Sequence, residues 1–275
     1  MAGLMITRAQ SAAVLLGRRF LSRRAADRIR VYGVGTAKSG THSIAAMFDP
    51  PVRAAHEADA TPLLRRILGA AAGRIRDEEL RTYLRRRDRR LRLDIDSSQL
   101  NYFVLDMLLD TFPGARFILT IRDCYSWLDS FINDSLRRPT SNDWLRLRDL
   151  RFRPDRFTHP PAERLLAEHG LYTLDGYLSY WATHNQQVLA RVPAEQLLVV
   201  RTDHLTENTV KIADFAGLPR AMVRRDRSHA FANPAKERLL HRIEQAHLED
   251  RVRAHCQPLM DRFFPEIRSR EDVDG

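Results

Sequence analysis

The stretch "GVGTAKSGTHS", residues 33–43, follows an apolar run that begins at Ile29. A short β-branched and aromatic run that ends in glycines reads as a buried strand. The next residues, "SGTHSIAAMF", read as a helix that Pro50 and Pro51 bring to an end. Strand, glycine-flanked turn and helix in that order form the opening unit of an open parallel sheet, and such sheets bind ligands at the carboxyl ends of their strands. Small residues let the turn curl tightly, so that successive N–H groups point inward as an anion nest. Lys38 adds a full charge, and Ser39, Thr41 and Ser43 add hydroxyl donors. The position of the lysine is unusual. In the nucleoside-triphosphate loop G-x-x-x-x-G-K-[ST] it follows the second glycine, whereas Lys38 precedes Gly40. The plainer alternative is an ordinary strand–turn–helix with a surface lysine.

The remaining pattern alternates strand and helix. "VRAAHEADA" reads as a short strand, "TPLLRRILGAA" and "RDEELRTYLRRRDRR" as helices, and "LRLDIDSS" as a strand ending near Ser97. Asp77 is a possible helix cap. "QLNYFVLDMLLDTF" reads as a helix stopped by Pro113, "ARFILTIRD" as the clearest strand, and "CYSWLDSFINDSLRR" as the helix behind it. "LYTLDGYLSYWATHNQQVLARV" reads as a long helix, "QLLVVRTDHL" as a strand, and "TVKIADFAGL" as a helix closed by Gly217. A loop over 219–234 precedes a final arginine-rich helix. Residues 139–170 lack clean periodicity and read as an irregular insertion on the acceptor side of a site. The expectation is one α/β domain over residues 1–275, a three-layer sandwich with a central, mostly parallel sheet like that of P-loop nucleotide triphosphatases. Residues 1–28 read as an N-terminal helical extension. Its apolar stretch, Ser11 to Leu16, is too short to span a bilayer, which leaves weak membrane-surface contact as its alternative role.

The chain of 275 residues carries a net charge of +10, and 44% of its residues are apolar. A basic balance points to an anionic partner, but the arginines are scattered among acids, so no nucleic-acid partner is expected. Lysine occurs only at 38, 211 and 236, which makes the one in the glycine loop hard to dismiss as surface filler. Cys124 and Cys256 form no CxxC pair or zinc-spaced cluster, so no metal is expected and a reduced, cytoplasmic setting fits.

A second motif lies in "LTIRDCYSWLDSF". Arg122 ends a strand and Ser130 lies eight residues on, inside the next helix. A guanidinium at a strand end can grip a phosphate with paired hydrogen bonds, while Asp123 is placed to cap the helix. With both motifs in hand the chain resembles sulfotransferases that use 3′-phosphoadenosine 5′-phosphosulfate (PAPS). In that family the 5′-phosphosulfate loop reads approximately K-[ST]-G-[TS], with lysine ahead of glycine, and a strand-end Arg with a Ser eight residues later holds the 3′-phosphate. The similar stretches run from about residue 29 to about residue 216. The resemblance implies that Lys38, Ser39, Gly40, Thr41, His42, Ser43, Arg122 and Ser130 bind the donor and its product, adenosine 3′,5′-bisphosphate (PAP). It also implies a late loop returning to the nucleotide, for which "RSHAFANPAK" with Arg227 and Lys236 is the counterpart here.

The family's acid–base group is His or Glu, located after the first strand–helix unit. Glu57 is the preferred residue and His56 the runner-up, with Asp94 and Asp96 further behind because a strand-end Asp commonly caps the next turn. Adjacent residues on a strand point to opposite faces, so one of Glu57 and His56 is expected to face the site. The resemblance implies a small-molecule, lipid or carbohydrate acceptor. The aromatic stripe Tyr172, Tyr177, Tyr180 and Trp181 shapes either the acceptor cleft or the core. Two rival readings are a P-loop small-molecule kinase and an arginine-rich module for nucleic acid or anionic lipid.

Overall fold

The computed structural model describes residues 28–48, 50–227, 237 and 239–273. The N-terminal stretch and Lys236 lie outside these residues. The strands are β1 (Val31–Gly33), β2 (Ala54–His56), β3 (Ile95–Ser97), β4 (Arg116–Ile121) and β5 (Leu197–Arg201). They form one sheet of order β2-β3-β1-β4-β5, with every pairing parallel. The helices are α1 (Thr41–Ala46), α2 (Ala60–Ala71), α3 (Asp77–Leu91), α4 (Leu105–Thr111), α5 (Cys124–Arg137), α6 (Asn142–Phe152), α7 (Arg164–Glu168), α8 (Leu174–Arg191), α9 (Thr209–Ala216) and α10 (Gln245–Phe263).

Strand alternation generates the three layers. Val31 and Ile118 point to one face, where they pack with Ile44 and Met47 at α1 and Ile212 and Ala216 of α9. Their neighbours Tyr32, Phe117 and Leu119 point to the other face, against Leu63 and Ile67 of α2, Leu84 of α3 and Val188 of α8. A third cluster joins Trp127 and Phe131 of α5 to Tyr177 and Trp181 of α8 and Leu248 and Cys256 of α10. A sheet buried on both faces needs apolar residues at successive positions, which is why "RFILTI" reads so clearly as a strand.

The chain leaves β1 toward β2 on one side and later passes over to β4 on the other. The carboxyl ends of β1 and β4, Gly33 and Ile121, therefore flank the point where the winding direction reverses, the place where open α/β sheets bind ligands.

Three expectations are corrected. Residues 139–170 are largely ordered into α6 and the short α7. The buried side of α6 is made by Leu147, Arg151 and Phe152, and an arginine on that side erases the helical hydrophobic pattern. Gln99–Val104 is a 3-10 turn ahead of α4, entered through Ser98, whose hydroxyl accepts the Leu100 N–H. At α3 the cap position belongs to Arg76. Asp77, Glu78 and Glu79 occupy the first turn instead, where their charges favour the helix dipole. Gly217 closes α9 as expected, with φ of 68° and its N–H on Asp214 O at 3.0 Å. Among the described residues no helix is long and apolar enough to cross a membrane.

Candidate active site

The loop between β1 and α1 is held from every side. Lys38 and Gly40 both take left-handed backbone angles, φ 67° and 94°, which turns the chain sharply and is unusual for lysine. Gly35 is required by close approach to β4, since a Cβ there would lie 2.7 Å from Thr120 O. Trp127 Nε1 donates to Ala37 O at 2.8 Å. Thr202 Oγ1 donates to Ser39 O at 2.6 Å and also reaches Ile121 O at 3.1 Å. Ser39 was expected to offer its hydroxyl to a ligand. It is fully buried, donates to Thr36 O at 2.7 Å and contacts Thr120 Oγ1 at 3.1 Å. It staples the loop, because both contacts engage the hydroxyl within the protein.

Below the loop, His184 of α8 contacts Val34 O through Nε2 at 2.7 Å and Tyr180 Oη through Nδ1 at 3.1 Å. Burial holds its pKa at about 3, far below the ordinary 6.5. The folded state therefore stays neutral at His184 while the unfolded chain takes up a proton below about pH 6.5, so stability is present above that pH and declines as pH falls toward 3. His184→Gln retains an amide able to donate to Val34 O and removes this titration. Its melting temperature should fall less steeply between pH 7 and 4.5 than that of the parent, as followed by thermal denaturation. Parallel slopes would reject the assignment.

Arg122 lies directly against the loop. Its Nη1 lies 3.4 Å from Lys38 O, and Trp181 Nε1 donates to Arg122 O at 3.1 Å. Burial lowers the pKa of the guanidinium, against the opposing charges of Asp123, Asp129 and Asp203. Asp123 caps α5 as anticipated, accepting the Ser126 N–H at 2.8 Å. Lys38 Nζ pairs with Asp134 Oδ1 at 3.1 Å. Asp134 lies four residues beyond Ser130, on the same helix face, so Ser130 is presented on the side of α5 that meets the loop. Asp134 escapes a motif search because it belongs to neither motif, although its helical offset from Ser130 marks the face it shares.

Beside the loop, Thr41 Oγ1 lies 3.2 Å from His56 Nε2. The rings of His42 and His56 stack with centroids 4.7 Å apart and planes 3° apart. Burial lowers the pKa of both imidazoles, which lets them stack uncharged, while the Glu57 carboxylate works against the shift. The strict alternation expected of Glu57 and His56 does not apply. Glu57 lies just past β2 at φ 52°, and its Oε1 accepts Gln99 Nε2 at 2.6 Å. Asp94 and Asp96 serve the framework. Asp94 Oδ2 accepts the Arg53 N–H at 2.9 Å, and Asp96 is buried in an ion pair with Arg87. Arg227 is exposed in a turn, Arg225–Arg227. The preceding segment is anchored at the far end of α1, where Arg224 N–H reaches Met47 O at 2.7 Å. Of the stripe, Tyr177, Tyr180 and Trp181 are buried, so those three rings are core. Among the described residues, no group of three or more His, Cys, Asp or Glu side chains is arranged to hold a metal ion.

An all-parallel sheet with a lysine-bearing glycine loop at its reversal point, faced by a strand-end arginine, defines a group-transfer enzyme of P-loop-like build. Residues 30–219 match the sulfotransferase domain model, and the chain belongs to that family. Among solved structures it is similar to a sulfotransferase from Alicyclobacillus acidocaldarius, at 18% identity over 88% of this chain and 96% of that one, with a TM-score of 0.47. It is also similar to sulfotransferase STF1 from Mycobacterium tuberculosis H37Rv, at 14% identity over 88% of this chain and 80% of that one, with a TM-score of 0.47. No curated protein matches the chain significantly.

Proposed function

We propose that this sulfotransferase moves the sulfuryl group of PAPS to a hydroxyl or amine of a small-molecule, lipid or carbohydrate acceptor, releasing PAP in the cytoplasm. The observation that carries the donor assignment is the 3.4 Å approach of Arg122 Nη1 to Lys38 O. It allows one nucleotide with phosphates at two positions to meet both motifs at once. The left-handed turns at Lys38 and Gly40 suit an anion cradle, and Lys38 stands beside it with 28% of its side chain exposed.

By analogy with phosphoryl transfer, the protein positions the reactants in line and stabilises charge. The S–O bond to the nucleotide phosphate breaks as the acceptor oxygen bonds to sulfur. Lys38 Nζ exchanges Asp134 for the leaving phosphate oxygen and offsets its developing charge. Arg122 and Ser130 hold the 3′-phosphate. Glu57 takes the acceptor proton, with Gln99 fixing its carboxylate and His56 as the alternative base.

The test is binding of PAP, with ATP and ADP as controls. At about a hundred times its Kd, a ligand adds about 2.7 kcal/mol. For a chain of this size that raises the melting temperature by roughly 5–10 °C. Arg122→Ala should weaken PAP binding about 10- to 100-fold in calorimetry, because a charge-assisted contact is lost. Stabilisation by ATP with none by PAP would favour the P-loop kinase reading instead.

A further inference from the structure

Arg87 and Arg151 are both more than nine-tenths buried, and they differ sharply. Arg87, 5% exposed, meets the Asp96 carboxylate and Ala58 O. Arg151 of α6, 6% exposed, has no hydrogen-bond partner at Nε or Nη2. Its guanidinium carbon lies 5.3 Å from the Phe103 ring centre and 5.4 Å from that of Tyr180. Aromatic faces attract the cation but leave its in-plane N–H groups unsatisfied. A buried guanidinium without an anion is costly, and the cost is relieved when an oxyanion takes its fork.

Its surroundings support the loop from beneath. Tyr180 Oη contacts His184 Nδ1, and His184 Nε2 contacts the β1–α1 chain at Val34 O. The Tyr102 ring stacks on His184 with centroids 3.9 Å apart. The charge of Glu57 is felt at Arg151, where burial depresses the guanidinium pKa. A buried cation whose Nε and Nη2 are unpaired therefore packs on Tyr180, which reaches the β1–α1 chain through His184.

We infer that Arg151 is an oxyanion-binding residue of the acceptor subsite, so that the acceptor carries a carboxylate, phosphate or sulfate in addition to the group that receives the sulfuryl. The acceptor part of this inference rests on the sulfuryl-transfer reading, whereas the oxyanion site does not. The planar fork matches the paired oxygens of such a group. A neutral hydroxyl compound would leave the fork unpaired and bind more weakly.

Calorimetry with PAP-saturated protein tests this. Benzoate and phenyl phosphate are the probes, and benzyl alcohol is the neutral control of similar size. At least one of the two anions should bind, the difference between them identifying carboxylate or phosphate as the preferred group, and benzyl alcohol should not. Arg151→Met should weaken that anion at least about tenfold, with PAP affinity unchanged. Arg151→Lys should recover part of the binding. Arg151→Met should melt no lower than the parent, because it replaces an unpaired buried charge by an apolar chain. Lack of binding by both anions, equal binding to Arg151→Met, or failure of Arg151→Met to fold would overturn the inference, the last by assigning the residue to packing. If PAP itself does not bind, the donor reading fails separately, and the same titrations without PAP still decide the role of Arg151.

Discussion

Lys38→Ala is expected to abolish sulfuryl transfer and leave the fold intact. The stability side follows from the contacts. The side chain makes one ion pair, to Asp134, with 28% and 24% of the two side chains exposed. Pairs this open contribute about 0–1 kcal/mol. The loop is held instead by Trp127, Thr202 and Ser39 through main-chain carbonyls, none of which involves the lysine amine. The catalytic side is different. Removing one group aimed at developing charge costs about 10²–10³ in rate, and Lys38 is the only lysine in the two motifs. The measurement is PAP release from PAPS with an acceptor the parent protein turns over, alongside a melting curve. Near-parental turnover would remove the central assignment. A collapsed melting curve would mean that the lysine braces the loop.

The site was readable where function is written in contiguous residues. The β1–α1 loop and the β4–α5 junction each place their key groups within a dozen positions, so order and spacing alone single out Lys38, Arg122 and Ser130 as candidates. What was not readable is whatever depends on distant segments. His184 meets Val34, Thr202 meets Ser39, and Trp181 meets Arg122, pairings set by the crossovers of the sheet. The hydroxyl contacts of Ser39 were hidden for a related reason. A hydroxyl in a glycine loop looks available until β4 brings Thr120 against it. Arg151 was hidden by its own chemistry, since a charged residue on the buried side of α6 made the segment look irregular. The alternation of strands and helices, in contrast, follows from local patterns, and the sheet observed is the one those patterns imply.

Glu57→Gln should lower turnover about 10²–10⁴-fold with PAP affinity unchanged. The substitution preserves shape. Gln99 Nε2 donates to Glu57 Oε1 at 2.6 Å, and an amide oxygen at the same place can accept that bond, so the left-handed turn at φ 52° keeps its anchor. Only the capacity to take a proton is lost. His56→Ala provides the comparison. It removes the contact with Thr41 Oγ1 and the stack on His42, both beside the donor loop, so it should disturb nucleotide binding as well as rate. The two bases also differ in their pH signature. Burial holds the His56 pKa below its ordinary 6.5, so if His56 is the base, rate should fall on acidification with a midpoint below that value, and His56→Ala should remove this acid limb. If Glu57 is the base, His56→Ala leaves the shape of the profile unchanged. Kinetic profiles of the two variants between pH 4.5 and 8 therefore assign the proton acceptor, and loss of the limb in His56→Ala with its retention in Glu57→Gln would transfer the role to the histidine.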